Sequence, residues 1–113
     1  GIFSSGLGTV SGSTFTHNTA QNGGAIYATD TLTIANSGFV GNTASTGSGG
    51  AITSAGGTDS ISNSTFRNNT AQSGGAINNA GILTLTSDIF TGNHAVNAQG
   101  VGGALWNNGT LTL

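Results

Sequence analysis

Residues 66–77 read Phe-Arg-Asn-Asn-Thr-Ala-Gln-Ser-Gly-Gly-Ala-Ile, and this stretch decides the fold because its pattern occurs four times. A Phe is followed three residues on by an Asn, as Phe15/Asn18, Phe39/Asn42, Phe66/Asn69 and Phe90/Asn93. A Gly-Gly-Ala-aliphatic step closes each copy: Gly23-Gly24-Ala25-Ile26, Gly49-Gly50-Ala51-Ile52, Gly74-Gly75-Ala76-Ile77 and Gly102-Gly103-Ala104-Leu105. Self-similarity at a period of about two dozen residues marks a stacked solenoid, in which each repeat buries its apolar face against the next.

Counting outward from the glycine step finds a second apolar anchor. Ile2 leads to Val10, Ile26 to Ile34, Ile52 to Ile61, Ile77 to Leu85 and Leu105 to Leu113. Each of the first four second anchors stands five residues before a Phe. The chain therefore divides into coils 1–22, 23–48, 49–73 and 74–101 with a partial coil 102–113, and it reads as a single segment of a longer array. Each coil holds three short extended runs, such as Ala25-Ile26-Tyr27, Leu32-Thr33-Ile34 and Gly38-Phe39-Val40, separated by Gly, Asn, Ser and Thr corners. No segment shows the 3.6-residue period of a helix, and the abundant Gly, Asn, Ser and Thr are poor helix formers. The expected fold is all-β: a single-stranded parallel β-helix, three-sided, of about four and a half coils of roughly 24–28 residues.

Stacking at about 4.8 Å would set ring on ring in the Phe column and line the interior with the Ile/Leu columns. Asn18, Asn42, Asn69 and Asn93 would form an amide ladder that satisfies corner backbone groups. Ala20, Ala44, Ala71 and Ala95 fill a small-residue column, and the paired glycines relieve a tight corner. Extra residues concentrate between the Ala column and the glycine step: Gln21-Asn22, Ser45-Thr46-Gly47-Ser48, Gln72-Ser73 and the six residues from Val96 to Val101. Variable loops thus leave the rod along one edge, the kind of edge solenoids use for partners.

Composition narrows the function. The chain of 113 residues has 21 Gly, no Pro, Cys or Met, one basic residue (Arg67) and three acidic ones (Asp30, Asp59, Asp88). Leu, Ile, Val and Phe make up about a fifth of it, close to the disordered range, but strict periodicity and low charge argue against disorder. A net charge of −2 excludes the basic footprint of a nucleic-acid binder and a polybasic membrane patch. Without cysteine there is neither a disulfide framework nor a thiolate metal site. No apolar run is long enough to cross a bilayer as a helix, and none reads as a signal peptide.

The paired motifs, Phe-x-x-Asn with Gly-Gly-Ala-Ile/Leu in tandem, resemble the repeats of the polymorphic outer membrane proteins, the chlamydial-type autotransporter adhesins, and related β-helix repeats of large bacterial surface proteins. The resemblance covers essentially the whole chain. It implies a right-handed parallel β-helix in an extracellular passenger region, displayed at the bacterial outer-membrane surface, with adhesion to a host-cell protein or glycan as its role. Only the Phe, Asn and Gly-Gly-Ala positions carry over, and they are structural. The translocator barrel and the Cys-bearing segments of that family are not in this sequence.

Two further readings compete with an adhesion scaffold. A carbohydrate-active β-helix of the pectate-lyase kind needs clustered carboxylates, with a base or calcium. Asp30, Asp59 and Asp88 fall in different registers and are not expected to converge, and Arg67 lies three positions out of column with Asp88. His17 and His94 stand in different columns three coils apart, so no metal site, catalytic residue or cofactor is expected. The other reading is ice binding, from an outward hydroxyl array of Thr9, Thr31, Thr33, Thr58, Ser60, Thr84, Thr110 and Thr112, interrupted by Leu7 and Ile82. Exposed Thr is also what any strand favours. Directly after each first anchor sit Phe3, Tyr27, Thr53, Asn78 and Trp106, which strand alternation turns outward. Phe3 and Tyr27 could offer an aromatic platform to a sugar or partner, or simply pack on neighbouring coils. Open coil ends would favour end-to-end self-association through unpaired backbone.

Overall fold

The computed structural model describes residues 1–97 and 102–113. It is an all-β parallel solenoid of about four turns, with no helix among those residues. Four sheets run along the axis, and every strand pairs in parallel with its equivalents in the adjacent coils. The first sheet holds Ile2–Ser4, Ile26–Ala28, Ile52–Ser54, Ile77–Asn79 and Leu105–Asn107. The second holds Gly8–Ser11, Leu32–Ala35, Thr58–Ser62, Ile82–Thr86 and Thr110–Thr112. The third holds Thr14–Thr16, Gly38–Val40, Thr65–Arg67 and Ile89–Thr91. A fourth sheet of two-residue strands, Thr19–Ala20, Thr43–Ala44, Thr70–Ala71 and His94–Ala95, adds to the three runs legible in the sequence. Two residues are too few for a period-two pattern, so only the ladder bonds reveal these strands.

The apolar columns stack in register. Ile2, Ile26, Ile52, Ile77 and Leu105 pair in one line, and Val10, Ile34, Ile61 and Leu85 in another. Leu113, counted into the second line, lies one residue past the last strand and is 88 % exposed. The Phe rings stack in parallel with centroids 4.9, 4.8 and 4.8 Å apart, the spacing of adjacent strands in a sheet. Ile, Leu and Phe from three sheets meet in one continuous core.

The chain turns at residues with left-handed backbone. One corner carries Gly12, Asn36, Asn63 and Ser87, and the next His17, Gly41, Asn68 and Gly92, all with φ between 50° and 66°. Asn and Gly tolerate this region best, which accounts for much of the composition. At the second corner a side chain alternates with glycine, so that the His17 ring lies over Gly41 and the Asn68 amide over Gly92. The third corner is the glycine pair. Its first member is left-handed, as in Gly49 with φ 67°, and its second has no room for a side chain, since a Cβ on Gly50 would run into the Gly75 carbonyl.

Behind the first two corners stand polar ladders. In the Asn ladder, each Oδ1 accepts the backbone N–H and the side-chain N–H of the Asn one coil earlier. Asn69 does so from Asn42 at 2.9 and 3.0 Å. Each Nδ2 also donates to the Phe carbonyl one coil back, at 3.0 Å from Asn42 to Phe15, 3.0 Å from Asn69 to Phe39 and 2.9 Å from Asn93 to Phe66. A second ladder, which the motif count passed over, runs through Ser13, Ser37, Ser64 and Asp88. The Ser37 and Ser64 hydroxyls and the Asp88 carboxylate accept the N–H of the ladder residue below at 3.2, 3.1 and 2.8 Å. Both ladders satisfy main-chain groups that the corners take out of the sheets, as buried backbone requires.

Candidate binding surface

Alternation in the first sheet turns Ile26 and Ala28 into the core and Tyr27 out, and the same alternation places Phe3, Tyr27, Thr53, Asn78 and Trp106 in one outward column. Phe3 and Tyr27 stack with centroids 5.6 Å apart and planes 8° from parallel, and Phe3 is 68 % exposed. Trp106 is 36 % exposed at the other end of the column. Thr53 is buried because the corner loop before it closes over it, its hydroxyl donating to the Ser48 carbonyl at 2.6 Å.

The corner loops adjoin this column and are tied to one another. The Ser48 N–H donates to Asn22 Oδ1 at 3.1 Å and the Gly23 N–H to the Ser48 carbonyl at 3.0 Å. Ser48 bridges to Ser73, and Asn97 Nδ2 donates to Ser73 Oγ at 2.9 Å. The extra residues of the second coil fold back on the first, with Gly47 pressed against the Asn22 side chain. Of the last loop, Ala98, Gln99, Gly100 and Val101 lie outside the described residues. An open groove of about 440 Å³ runs between loop and column, lined by Ala20, Gln21, Asn22, Phe3 and Tyr27 among others. Loops and aromatic pair, two separate features in the sequence, thus share one edge of the rod.

The hydroxyl array resolves differently from its reading in the sequence. Thr9, Thr33, Ser60, Thr84 and Thr112 pair directly from coil to coil in one unbroken outward column of the second sheet. The interruption belongs to a neighbouring column, where Thr58, Ile82 and Thr110 pair and where Thr31 and Leu7 precede the strands. Thr31 and Thr84 are half-buried, and the other hydroxyl-bearing residues of the array are exposed.

The ionisable groups are placed by the same alternation. Ile61 faces inward, so Asp59, two residues before it, does too and is 2 % exposed. Its Oδ1 accepts the Leu32 N–H at 2.8 Å, while Oδ2 is buried without a hydrogen bond. Burial raises its pKa above the ordinary 3.8, against the lowering effect of the neighbouring Ser54 hydroxyl and the Leu32 N–H, and the charge of Asp30 adds to the rise. Asp30 lies just across the seam between the second and third coils, where the turn at Gly57 packs directly on it, and its charge reaches Asp59 from there. Asp88 is elsewhere, in the serine ladder, where burial raises its pKa and the N–H groups of Ser64 and Thr86 partly offset the rise. Arg67 points outward between Val40 and Thr91, and His17 and His94 are exposed in separate columns. Among the described residues no three His, Asp or Glu side chains gather where a metal could bind. Two signals for the missed groups were present: the period-two pattern of Thr58-Asp59-Ser60-Ile61, and a Ser two residues before the Phe in three coils.

Register, ladders and outward columns define the class: a tandem-repeat parallel β-solenoid whose recurring residues serve the fold and whose outward columns are left to vary. The Chlamydia polymorphic membrane protein repeat matches residues 12–29 and 63–80. Both matches begin on a left-handed corner residue, Gly12 or Asn63, and run through the Phe, the Asn and the glycine step to one residue past the next first-sheet strand. Two stretches of the chain are thus similar to the repeat of this membrane-protein family, and the parallel β-solenoid agrees with that likeness. No curated protein and no solved structure matches it.

Proposed function

We propose that the solenoid is a non-enzymatic extracellular scaffold, displayed at a bacterial outer-membrane surface, that binds a host-cell protein or glycan along its loop-bearing edge. The observation that carries this reading is the groove where Gln21 and Asn22 face the stacked Phe3 and Tyr27. Aromatic faces take the C–H surface of a sugar or an apolar side chain, and neighbouring amides supply directional hydrogen bonds. The near absence of charge fits a neutral ligand. A glycan array and a host-cell binding assay test the proposal. Saturable binding should be lost in Tyr27→Ala and weakened when Ser45–Ser48 is shortened to the two-residue corner of the next coil. Binding indifferent to both changes would move the site off this edge.

A second reading rests on the unbroken Thr9–Thr33–Ser60–Thr84–Thr112 column, a regular neutral row of hydroxyls suited to an ordered water lattice. Thermal hysteresis abolished by Thr33→Tyr with Thr84→Tyr would favour it. Its absence in the unaltered chain would remove it.

A further inference from the structure

Asp59 occupies a place where three of the other four coils have leucine, Leu32, Leu83 and Leu111, and the first has Gly8. Its register partner one coil on is Leu83, and the equivalent position one coil back is Leu32; both are buried. The cause lies in the length of the third coil. Ile52 to Ile61 is nine residues where Ile26 to Ile34 and Ile77 to Leu85 are eight, and the extra residue sits in the turn Ala55-Gly56-Gly57. That turn displaces the start of the strand Thr58–Ser62. Five of its residues pair with the coil above, but only Ser60, Ile61 and Ser62 pair with the coil below. The Leu32 N–H points into the seam with no backbone acceptor, and the Asp59 carboxyl fills the place at 2.8 Å. This single bond replaces the missing end of the ladder.

The other oxygen makes it conditional. Oδ2 is buried with no hydrogen bond, and the neighbouring Ser54 hydroxyl turns to the Gly56 carbonyl at 3.3 Å. The strands Leu32–Ala35 and Ile82–Thr86 bring Leu32, Ile34, Leu83 and Leu85, and Ile52–Ser54 brings Ser54. The one titratable neighbour is Asp30, also acidic, on the turn before Leu32. No cation faces the site among these elements, so a carboxylate there would be buried beside a like charge with only the Leu32 N–H and the Ser54 hydroxyl to offset it, which disfavours ionisation.

We propose that Asp59 is a proton-operated staple between the second and third coils, closed as the neutral acid and loosened as the carboxylate. A neutral acid keeps the Leu32 bond through its carbonyl oxygen and can offer its O–H to Ser54. An ionised one is drawn towards water past the Gly56-Gly57 turn, which opens the seam. The direction follows from linkage. An unfolded aspartate loses its proton near 3.8 and the folded one higher, so the stabilisation is complete below the unfolded value and is lost as pH rises through the folded one. The seam is thus tight in acid and loose at neutral pH, opposite to a paired carboxylate.

Amide hydrogen exchange at Leu32, followed by NMR from about pH 4 to about pH 7 and corrected for intrinsic base catalysis, reads the staple. Protection in the unaltered chain should fall about tenfold for each pKa unit by which Asp59 exceeds an ordinary aspartate. Asp59→Asn, whose Oδ1 still accepts the bond, should hold Leu32 protection level with pH. Asp30→Asn should keep the fall but move it to lower pH. Level protection in the unaltered chain, or the same fall in Asp59→Asn, would overturn the proposal. If Asp59→Asn does not fold, the Asp59 carboxyl carbon shift in the unaltered chain decides: a midpoint above 3.8 supports the staple and one at or below it refutes it.

Discussion

Replacing Asn69 by Ala tests the Asn ladder at its most connected rung. The side chain makes four hydrogen bonds. Oδ1 accepts the Asn42 backbone N–H at 2.9 Å and Asn42 Nδ2 at 3.0 Å, while Nδ2 donates to the Phe39 carbonyl at 3.0 Å and Asn93 Oδ1 at 2.9 Å. Asn42, Asn69 and Phe39 are fully buried, so water does not replace the lost partners. The two main-chain groups, fixed in place, cost about 1–3 kcal/mol each when left unsatisfied. With a smaller loss from the side-chain bonds, the expected destabilisation is about 3–6 kcal/mol, a large share of the stability of a domain this size. Asn18→Ala is the internal comparison. Its side chain makes one bond, from Nδ2 to Asn42 Oδ1, and its backbone N–H keeps its acceptor, so about 1 kcal/mol is expected. Urea unfolding followed by circular dichroism, with the slope checked for constancy, gives both values. If the two variants fall within about 1 kcal/mol of each other, the ladder does not carry the corner backbone as argued.

Three further outcomes follow from the packing. Phe39→Ala removes a fully buried ring stacked between Phe15 and Phe66 and should cost about 3–5 kcal/mol in the same urea assay. Gly50→Ala forces a Cβ into the Gly75 carbonyl and should prevent a folded, soluble product, whereas Gly38→Ala, with open space at its Cβ, should leave the melting temperature nearly unchanged. Asp88→Ser restores the hydroxyl that Ser13, Ser37 and Ser64 supply in the same ladder. Because burial raises the Asp88 pKa, its stabilising share is present below 3.8 and lost as pH rises, so the variant should gain stability over the parent at neutral pH, and the gain should shrink in acid.

The legible part of the fold was the part that repeats without substitution. Phe, Asn and Gly-Gly-Ala recur because ring stacking, amide ladders and a corner without room for a Cβ each accept one residue type, and equal spacing then fixes the register. The serine ladder escaped notice because Ser64 gives way to Asp88, a different residue with the same ability to accept an N–H. Asp59 was weighed only by its register against Asp30 and Asp88, although alternation from Ile61 already turned it inward. The fourth sheet was hidden by its two-residue strands. At the candidate site the reverse holds. The sequence contained Tyr27 and the Gln21-Asn22 corner but gave no distance between them, because that proximity depends on how a corner loop folds back on the strand after it.

The first sheet shows how differently the fold treats its two faces. Its inward column reads Ile2, Ile26, Ile52, Ile77 and Leu105, while the adjacent outward column, on the same strands with the same pairings, reads Phe3, Tyr27, Thr53, Asn78 and Trp106. One residue along the chain separates near-identity from aromatic, hydroxyl and amide side chains. Inward, a change of volume disturbs a close-packed stack in both directions along the axis. Outward, a side chain meets mainly solvent and the corner loop beside it, so its replacement leaves the ladders intact. Apart from Thr53, whose buried hydroxyl is held by the Ser48 carbonyl, the fold therefore places little constraint on that column. Composition there is free to follow whatever the edge contacts, and changes at Tyr27 or Trp106 should alter binding without altering the urea midpoint.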